Sequence, residues 1–160
     1  MTGRLKAELK QKRPFVNMEQ EAFLNIQRTA DALMRGLEEL LKPSGLTQTQ
    51  YNVLRILRGA KPDGLLCREL SERMVTRDPD ITRLLDRLER RGLISRLRDR
   101  KDRRALTVRI TAAGAELVSK LDDPVARLHS RQLAHLGAPQ LHRLIDLLEG
   151  ARGAGRDGTV

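Results

Sequence analysis

The pattern of apolar and polar positions begins with one long amphipathic segment. Between Met18 and Lys42 the apolar residues recur at intervals of three and four, which predicts a helix of about six turns. These apolar positions are Ala22, Phe23, Ile26, Ala30, Leu33, Leu37, Leu40 and Leu41. The helix is expected to end at Pro43-Ser44-Gly45, because proline and glycine interrupt helical hydrogen bonding.

Two shorter helices are predicted next. Thr47 followed by Gln50 has the spacing of a capping box and opens a helix. Its inward positions are Val53, Leu54, Ile56 and Leu57. Residues 59–64 read as a turn, and a short helix follows with Leu66, Leu70 and Met74 on one face.

The next helix has the sharpest signal in the chain. Asp78-Pro79 is expected to cap and start it, and Gly92 to close it after Arg90-Arg91. Its apolar residues are spaced i, i+3, i+4 and i+7, and they are Ile81, Leu84, Leu85 and Leu88.

A change to period-two alternation then predicts two strands, 93–98 and 105–111, joined by a basic tip. Leu106, Val108 and Ile110 alternate with polar residues and are expected to anchor the second strand. Helical patterns resume from Ala112 to about His135, with a bend expected at Pro124, and again from near Pro139.

The predicted fold is therefore mainly α with a small β-hairpin wing. Residues 47–111 have the element order of a winged helix-turn-helix, between helical segments 18–46 and 112–150. A basic N-terminal arm (1–17) and a Gly-rich, disordered tail (151–160) complete the expected organisation.

The net charge of +10 is concentrated in the predicted winged segment. Residues 47–111 carry 17 basic and 9 acidic side chains, whereas 1–46 carry 8 and 6, and 112–160 carry 6 and 6. A basic module between near-neutral flanks indicates a polyanionic partner. Phe15, Phe23 and Tyr51 are the only aromatic residues, too few to stack single-stranded bases, so double-stranded DNA is favoured.

The polar face of the helix at 78–91 carries side chains that can read bases. Thr82 and Arg83 are the first candidates, Arg77 and Asp80 the next, and Arg87 is expected nearer the DNA backbone. The basic tip of the hairpin is predicted to enter the minor groove through Arg98, Arg100, Lys101, Arg103 and Arg104. The alternatives are a solvated helix face with internal ion pairs, such as Asp86–Arg90, and a flexible solvated loop.

Other chemistry has little support in the sequence. His129, His135 and His142 lack the i, i+3 or i, i+4 spacing of a helical metal site, and Cys67 is interpreted as a small buried residue. No catalytic or phosphate-cradling motif is present, so neither an enzyme nor a cofactor is predicted. The absence of an apolar span or signal core and the single cysteine predict a cytoplasmic, nucleoid-associated protein.

The chain from about 18 to 150 resembles the MarR family of bacterial transcriptional regulators. The resemblance is carried by TRLLDRLERRGLI (82–94) and by DRRALTVRIT (102–111), in which Asp102, Arg104 and Ile110-Thr111 follow the family's wing pattern. Many members have a glycine-containing turn and a serine cap before the recognition helix, where this chain has VTRDP (75–79). The resemblance implies a role for Asp102 in orienting Arg104, and a homodimer that acts, most often as a repressor, on a palindromic operator. It also implies a small, commonly anionic aromatic effector between the dimer helices and the winged domain, but the sequence identifies neither that effector nor its residues.

The apolar stripes of the flanking helices admit two interpretations, an intramolecular core or an interface between subunits. The interface is favoured because a winged domain of about 65 residues gives these helices little else to pack on. The residues concerned are Phe23, Ile26, Leu33, Leu37, Leu117, Leu121, Leu141, Leu144, Ile145 and Leu148. Two functional alternatives stay open, a sequence-independent architectural DNA-binding protein and a winged helix that contacts proteins.

Overall fold

The computed structural model describes residues 4–60, 62–76, 80–98 and 106–153, with Arg98 described in its backbone only. The elements, in chain order, are α1 (Leu5–Glu8), α2 (Met18–Leu41), α3 (Gln48–Arg58), β1 (Leu65–Leu66), α4 (Cys67–Arg73), α5 (Ile81–Arg90), β2 (Ile94–Arg98), β3 (Leu106–Ile110), α6 (Ala112–Leu133) and α7 (Gly137–Gly153). The mainly helical fold with a small antiparallel sheet is the predicted one.

The helix starts follow their local capping chemistry. Thr47 Oγ1 accepts from Gln50 N at 3.2 Å while Gln50 Oε1 accepts from Thr47 N at 3.0 Å, which confirms the capping box of α3. Gly92 closes α5 with φ of +70°, in the left-handed region that glycine favours. Its N–H bonds to Glu89 O, and Leu93 N bonds to Leu88 O, the paired hydrogen bonds of a Schellman motif.

The sheet contains a strand that the sequence pattern did not reveal. Its order is β1-β3-β2, with Leu65 opposite Val108 and Ile94 opposite Ile110, all antiparallel. β1 has only two residues, too few for an alternation of polar and apolar positions to be recognised. It closes the free edge of β3 and joins the turn after α3 to the base of the wing.

Three boundaries differ from the prediction. α5 begins at Ile81 with Asp80 as its N-cap, so the predicted cap at Asp78 is wrong. α7 continues to Gly153, into the segment expected to be a disordered tail. The N-terminal arm contains the single turn α1, in which Leu5 is buried and Glu8 pairs with Arg28 of α2 at 2.7 Å.

The core lies where the winged segment meets the ends of the long helices. Its fully buried side chains come from α2, α3, α4, α5, β3 and α6, and they are Leu41, Val53, Leu54, Leu70, Leu85, Leu88, Val108 and Val118. Helix α6 is continuous through Pro124. Among the described residues, we find no helix with the length and apolar character needed to span a membrane.

Candidate nucleic-acid interface

Helix α5 has one buried face and one charged face, as its spacing predicts. Leu84, Leu85 and Leu88 are buried, and Ile81 packs partly buried against the same core. On the other side Thr82, Arg83 and Arg87 are exposed. The core contacts therefore fix the rotation of α5 about its own axis. Thr82 and Arg83, the first candidates for base recognition, face solvent.

Asp80 has a structural role at the start of α5. Its Oδ1 accepts from Arg83 N at 3.2 Å, the bond expected of an N-cap, and its Oδ2 lies 3.1 Å from Arg83 Nε. The cap stabilises the first turn of the helix, and the ion pair restrains the Arg83 side chain. A base contact by Asp80 itself stays a prediction.

The internal ion pair Asp86–Arg90 is not the arrangement that the structure shows. Arg90 Nε donates to the main-chain oxygen of Asp86 at 3.3 Å. The Asp86 carboxylate instead lies 2.6 Å from the Arg96 guanidinium of β2. Asp86 is thus turned towards the wing and away from Arg90.

Arg96 connects the recognition helix α5 to the wing. Its backbone N–H donates to Glu89 Oε1 at 3.1 Å and its Nε to Glu89 Oε2 at 2.9 Å. The hydrogen bond from Arg96 holds the pKa of the Glu89 carboxyl below its usual range, and Glu89 in turn raises the pKa of Arg96. Arg96 is one of six basic residues in 96–104, but it is already paired with two carboxylates of the protein.

This role of Arg96 was not predicted, although the sequence contains a signal for it. In a strand, alternate residues lie on one face, so Arg96 shares the face of the buried Ile94. It also stands opposite Val108, the most buried residue of β3. An arginine at an inward-facing position needs a carboxylate partner, and Glu89 lies one turn before the glycine that leads into β2.

The tip of the wing and one recognition-helix candidate lie outside the described residues. These are Arg77, Arg100, Lys101, Asp102, Arg103 and Arg104, together with the side chain of Arg98. The base of the wing is described: β2 and β3 are paired from Ile94–Ile110 to Arg98–Leu106, and Val108 is fully buried. The predicted anchoring of the second strand is confirmed at Val108, and Leu106 and Ile110 are half-buried.

The residues proposed for a dimer interface fall into three groups. Leu37, Leu117 and Leu121 pack partly buried against the core of their own chain, which favours the intramolecular interpretation for them. Phe23, Ile26 and Ile145 are 59%, 45% and 50% exposed. The remaining four, Leu33, Leu141, Leu144 and Leu148, are half-buried, and none of the residues of α7 is buried.

A cleft of about 280 Å³ separates α2 and α6 from the start of α3 and the segment after α4. The exposed surface of the cleft is mostly apolar, and its lining residues are Met34, Leu37, Gln48, Thr49, Tyr51, Asn52, Arg55, Val75, Thr76 and His129. Gln48 Nε2 donates to Met34 O and to Glu38 Oε1, while its buried Oε1 has no hydrogen-bond partner among the described residues. Arg55 lies 5.9 Å from the centre of the Tyr51 ring.

The thiol of Cys67, at the start of α4, is half-buried. Burial raises its pKa, with a smaller opposing effect from Arg96, so the reactive thiolate is disfavoured. Cys67 packs against the core but is only partly buried, so it is more exposed than the small buried residue that was predicted. The described residues contain no cluster of three or more His, Cys, Asp or Glu side chains suited to a metal ion.

Comparison with known proteins gives one family match and many structural relatives. The model of the MarR family matches residues 46–106. A MarR transcription factor from Planctomyces limnophilus is 43% identical, with 85% of this chain and 98% of that chain covered and a TM-score of 0.66. AbsC, a MarR family transcriptional regulator from Streptomyces coelicolor, is 25% identical over 92% of this chain and 100% of its own, with a TM-score of 0.78.

A mutant MarR from E. coli, solved in complex with operator DNA, is 27% identical, with 87% of this chain and 99% of that chain covered and a TM-score of 0.77. Members of the family are typically regulators without enzymatic activity. The family match over the winged segment and the 43% identity along nearly the whole of the Planctomyces limnophilus protein show that this chain belongs to the MarR family of winged helix-turn-helix transcription regulators.

Proposed function

We propose that the protein is a homodimeric repressor that recognises a palindromic operator in double-stranded DNA and is released by a small effector. The observation that carries the proposal is the division of α5 into a buried leucine face and an exposed face with Thr82, Arg83 and Arg87. Operator DNA bound to the E. coli relative supports the choice of partner.

Arg83 is the strongest candidate for base recognition. It lies in the first turn of α5, its side chain is 78% exposed, and the N-terminal part of a recognition helix usually meets the base edges. Its guanidinium can donate two hydrogen bonds to guanine. Thr82 beside it can contact a thymine methyl group, and Arg87, one turn later, is better placed for a phosphate.

Asp80 orders the Arg83 side chain in the free protein through an ion pair at 3.1 Å. A guanine, which offers two acceptors, can replace this exposed pair, because the pair is worth only about 0.2–1 kcal/mol. The wing adds affinity through Arg98, Arg100, Lys101, Arg103 and Arg104, with Asp102 orienting Arg104.

The decisive experiment is selection of the full chain against a random duplex library at physiological salt. We expect an enriched palindrome with half-sites about one helical turn (10–10.5 base pairs) apart. Recovery without a consensus, with binding that vanishes steeply as salt rises, would instead indicate an architectural DNA-binding protein. Failure to recover DNA at low salt would favour a protein partner.

A matched pair of variants separates base recognition from general charge. Arg83→Gln is expected to cost about 1–3 kcal/mol of binding free energy on the selected operator and to relax its preference at one position of each half-site. Arg68→Gln removes an equally exposed arginine from α4, and should weaken binding similarly on all sequences or not at all. If Arg83→Gln and Arg68→Gln lost the same binding free energy on the operator and on random DNA, the role of Arg83 in base recognition would be contradicted.

The dimer is proposed from the exposed apolar residues at the two ends of the chain. Phe23 and Ile26 of α2 and Ile145 of α7 are about half exposed in the single chain, and a second chain would cover them. Sedimentation should give twice the mass of 18.1 kDa for the wild type. Ile145→Glu should shift the equilibrium towards monomer, whereas a monomeric wild type at all concentrations would refute the dimer.

The cleft between α2, α3 and α6 is proposed to hold the effector. Its exposed surface is mostly apolar, and Arg55 is among its lining residues. A small aromatic carboxylic acid would satisfy both features. A panel of such acids should raise the melting temperature of the wild type but not of Arg55→Met, with Arg35→Met on the exposed face of α2 as the control.

A further inference from the structure

The C-terminal end of the recognition helix is tied to the long N-terminal helix by one side chain. Arg91, the residue after α5, donates from Nη1 to Gly45 O at 2.7 Å and from Nη2 to Ser44 O at 2.8 Å. Both acceptors belong to the turn that ends α2, where Gly45 has φ of +65°. The planar guanidinium thus spans two consecutive carbonyl groups, which a lysine ammonium cannot do with the same geometry.

Among the described residues, the hydrogen bonds within the turn that receives Arg91 go to other carbonyl groups. Ser44 Oγ donates to Leu41 O at 2.6 Å, and Gly45 N donates to Lys42 O at 3.0 Å. These bonds satisfy earlier carbonyls, as the end of a helix requires. The oxygens of Ser44 and Gly45 accept from Arg91 instead.

Arg90, its immediate neighbour, makes no such connection. Its only described hydrogen bond goes to Asp86 O within α5. The two arginines therefore share charge, helix end and exposure, but among the described contacts only Arg91 reaches a different element.

We propose that Arg91 is a positioning residue that transmits the orientation of α2 to the recognition helix α5. One core cluster contains Leu41 and Leu46, which flank the turn after α2, and Leu88 and Leu93 at the end of α5. Arg91 adds hydrogen bonds between these two segments at the surface. When α2 rotates, α5 and its base-reading side chains therefore rotate with it, because the turn 42–46 does not deform on its own. The consequence for operator spacing rests on the proposed function, because it requires α2 to be part of a dimer.

The first test uses the free protein and depends on neither DNA nor dimerisation. Hydrogen exchange of the backbone amides is compared between wild type, Arg91→Lys, Arg91→Gln and the control Arg90→Lys. We expect several-fold faster exchange at the end of α5 and in the turn 42–46 for both Arg91 variants, with α6 unchanged, and wild-type exchange for Arg90→Lys. Unchanged exchange in Arg91→Lys, or a uniform rise that includes α6, would overturn the proposal.

The second test measures binding to the selected operator with one base pair inserted or deleted between the half-sites, which rotates one half-site by about 34°. The wild type should lose much more affinity than Arg91→Lys on these altered operators, because the variant's reading helices are less firmly oriented. An unchanged spacing profile in a variant that exchanges faster would limit Arg91 to local stability and overturn its role in transmission. A wild type without spacing preference would refute the dimeric repressor, while the exchange experiment would still decide whether Arg91 joins α2 to α5.

Discussion

Replacing Arg96 by methionine should weaken both the fold and the wing's connection to the recognition helix. Arg96 is 19% exposed, and its partners Glu89 and Asp86 are 37% and 41% exposed. Hydrogen bonds to charged groups contribute about 1.5–3 kcal/mol in the interior, and exposed ion pairs about 0.2–1 kcal/mol. Because the carboxylates are partly solvated, we expect the free energy of unfolding to fall by about 1–2 kcal/mol, between these limits.

The loss should depend on pH in a defined direction. The pKa of Glu89 is lower in the folded protein than in the unfolded chain, chiefly because Arg96 donates to its carboxylate. The stabilisation is therefore fully present above the unfolded pKa of about 4.3 and is lost as the pH falls through the lower folded value. The difference between wild type and Arg96→Met should be constant near pH 7 and shrink below about pH 4.

Thermal and urea unfolding followed by circular dichroism measure this difference. A change of about 1–2 kcal/mol corresponds to about 3–6 °C in melting temperature for a chain of this length. A double-mutant cycle with Glu89→Gln should give a favourable coupling, whereas Arg35→Met, which removes an exposed pair with Asp31 on α2, should have almost no effect. If Arg96→Met matched Arg35→Met at pH 7, or if its effect grew on acidification, the assignment of Arg96 as the link would be refuted.

Three further outcomes follow from the described contacts. Gly114→Ala would place a Cβ against Leu93 O and 2.9 Å from Ile110 Cγ1, so it should lower the free energy of unfolding by about 1–3 kcal/mol. Gly150→Ala meets nothing within 4 Å and should raise the free energy of unfolding by about 0.5–1 kcal/mol. An unchanged or higher stability of Gly114→Ala in urea titrations would contradict the packing of α6 on Leu93. Asp122 has a lowered pKa because Arg58 of α3 donates to it at 2.7 and 2.8 Å. Asp122→Asn should therefore be less stable than the wild type near pH 7, and the two stabilities should converge as the pH falls through the lowered pKa. Parallel curves of stability against pH would argue against this link. Cys67 should react with a disulfide reagent at pH 7 more slowly than a free thiol, because burial raises its pKa, and rapid labelling of the native protein would show that the thiol is accessible.

The sequence predicts those elements whose periodicity is long enough to measure. The four leucine and isoleucine positions of α5 fix its buried face, and the Thr47–Gln50 pair fixes the start of α3 to the residue. β1 has two residues and no period. The sequence prediction placed the cap of α5 at Asp78, whereas the N-cap is Asp80, and both aspartates precede the apolar run. Local composition does not decide which aspartate becomes the N-cap, because the first residue of the helix depends on tertiary packing.

The candidate interface was predictable in type but not in its internal pairing. Charge concentration and the helix–hairpin order indicate DNA, yet they do not distinguish a cation that faces solvent from one that holds two elements together. Strand alternation indicates that Arg96 faces inward and needs a carboxylate partner, but only the tertiary contacts identify Glu89 as that partner. Arg91 resembles its neighbours in the sequence, and no local pattern indicates its contact with the turn after α2.

This distinction changes what the excess charge of the winged segment implies for binding. Among the described residues, four of its arginines bind groups on another part of the fold: Arg58 binds Asp122, Arg91 binds two carbonyls, Arg96 binds two carboxylates and Arg109 binds Asp63. They contribute to the long-range potential but cannot neutralise a phosphate without breaking a protein contact. If about eight phosphates are neutralised per dimer, the logarithm of affinity should fall with that of salt at a slope of about −7. A much steeper slope would mean that these internal pairs open when the protein binds DNA. Hydrogen exchange in the complex would then test first the pairs of Arg96 with Glu89 and Asp86, which connect α5 to the wing.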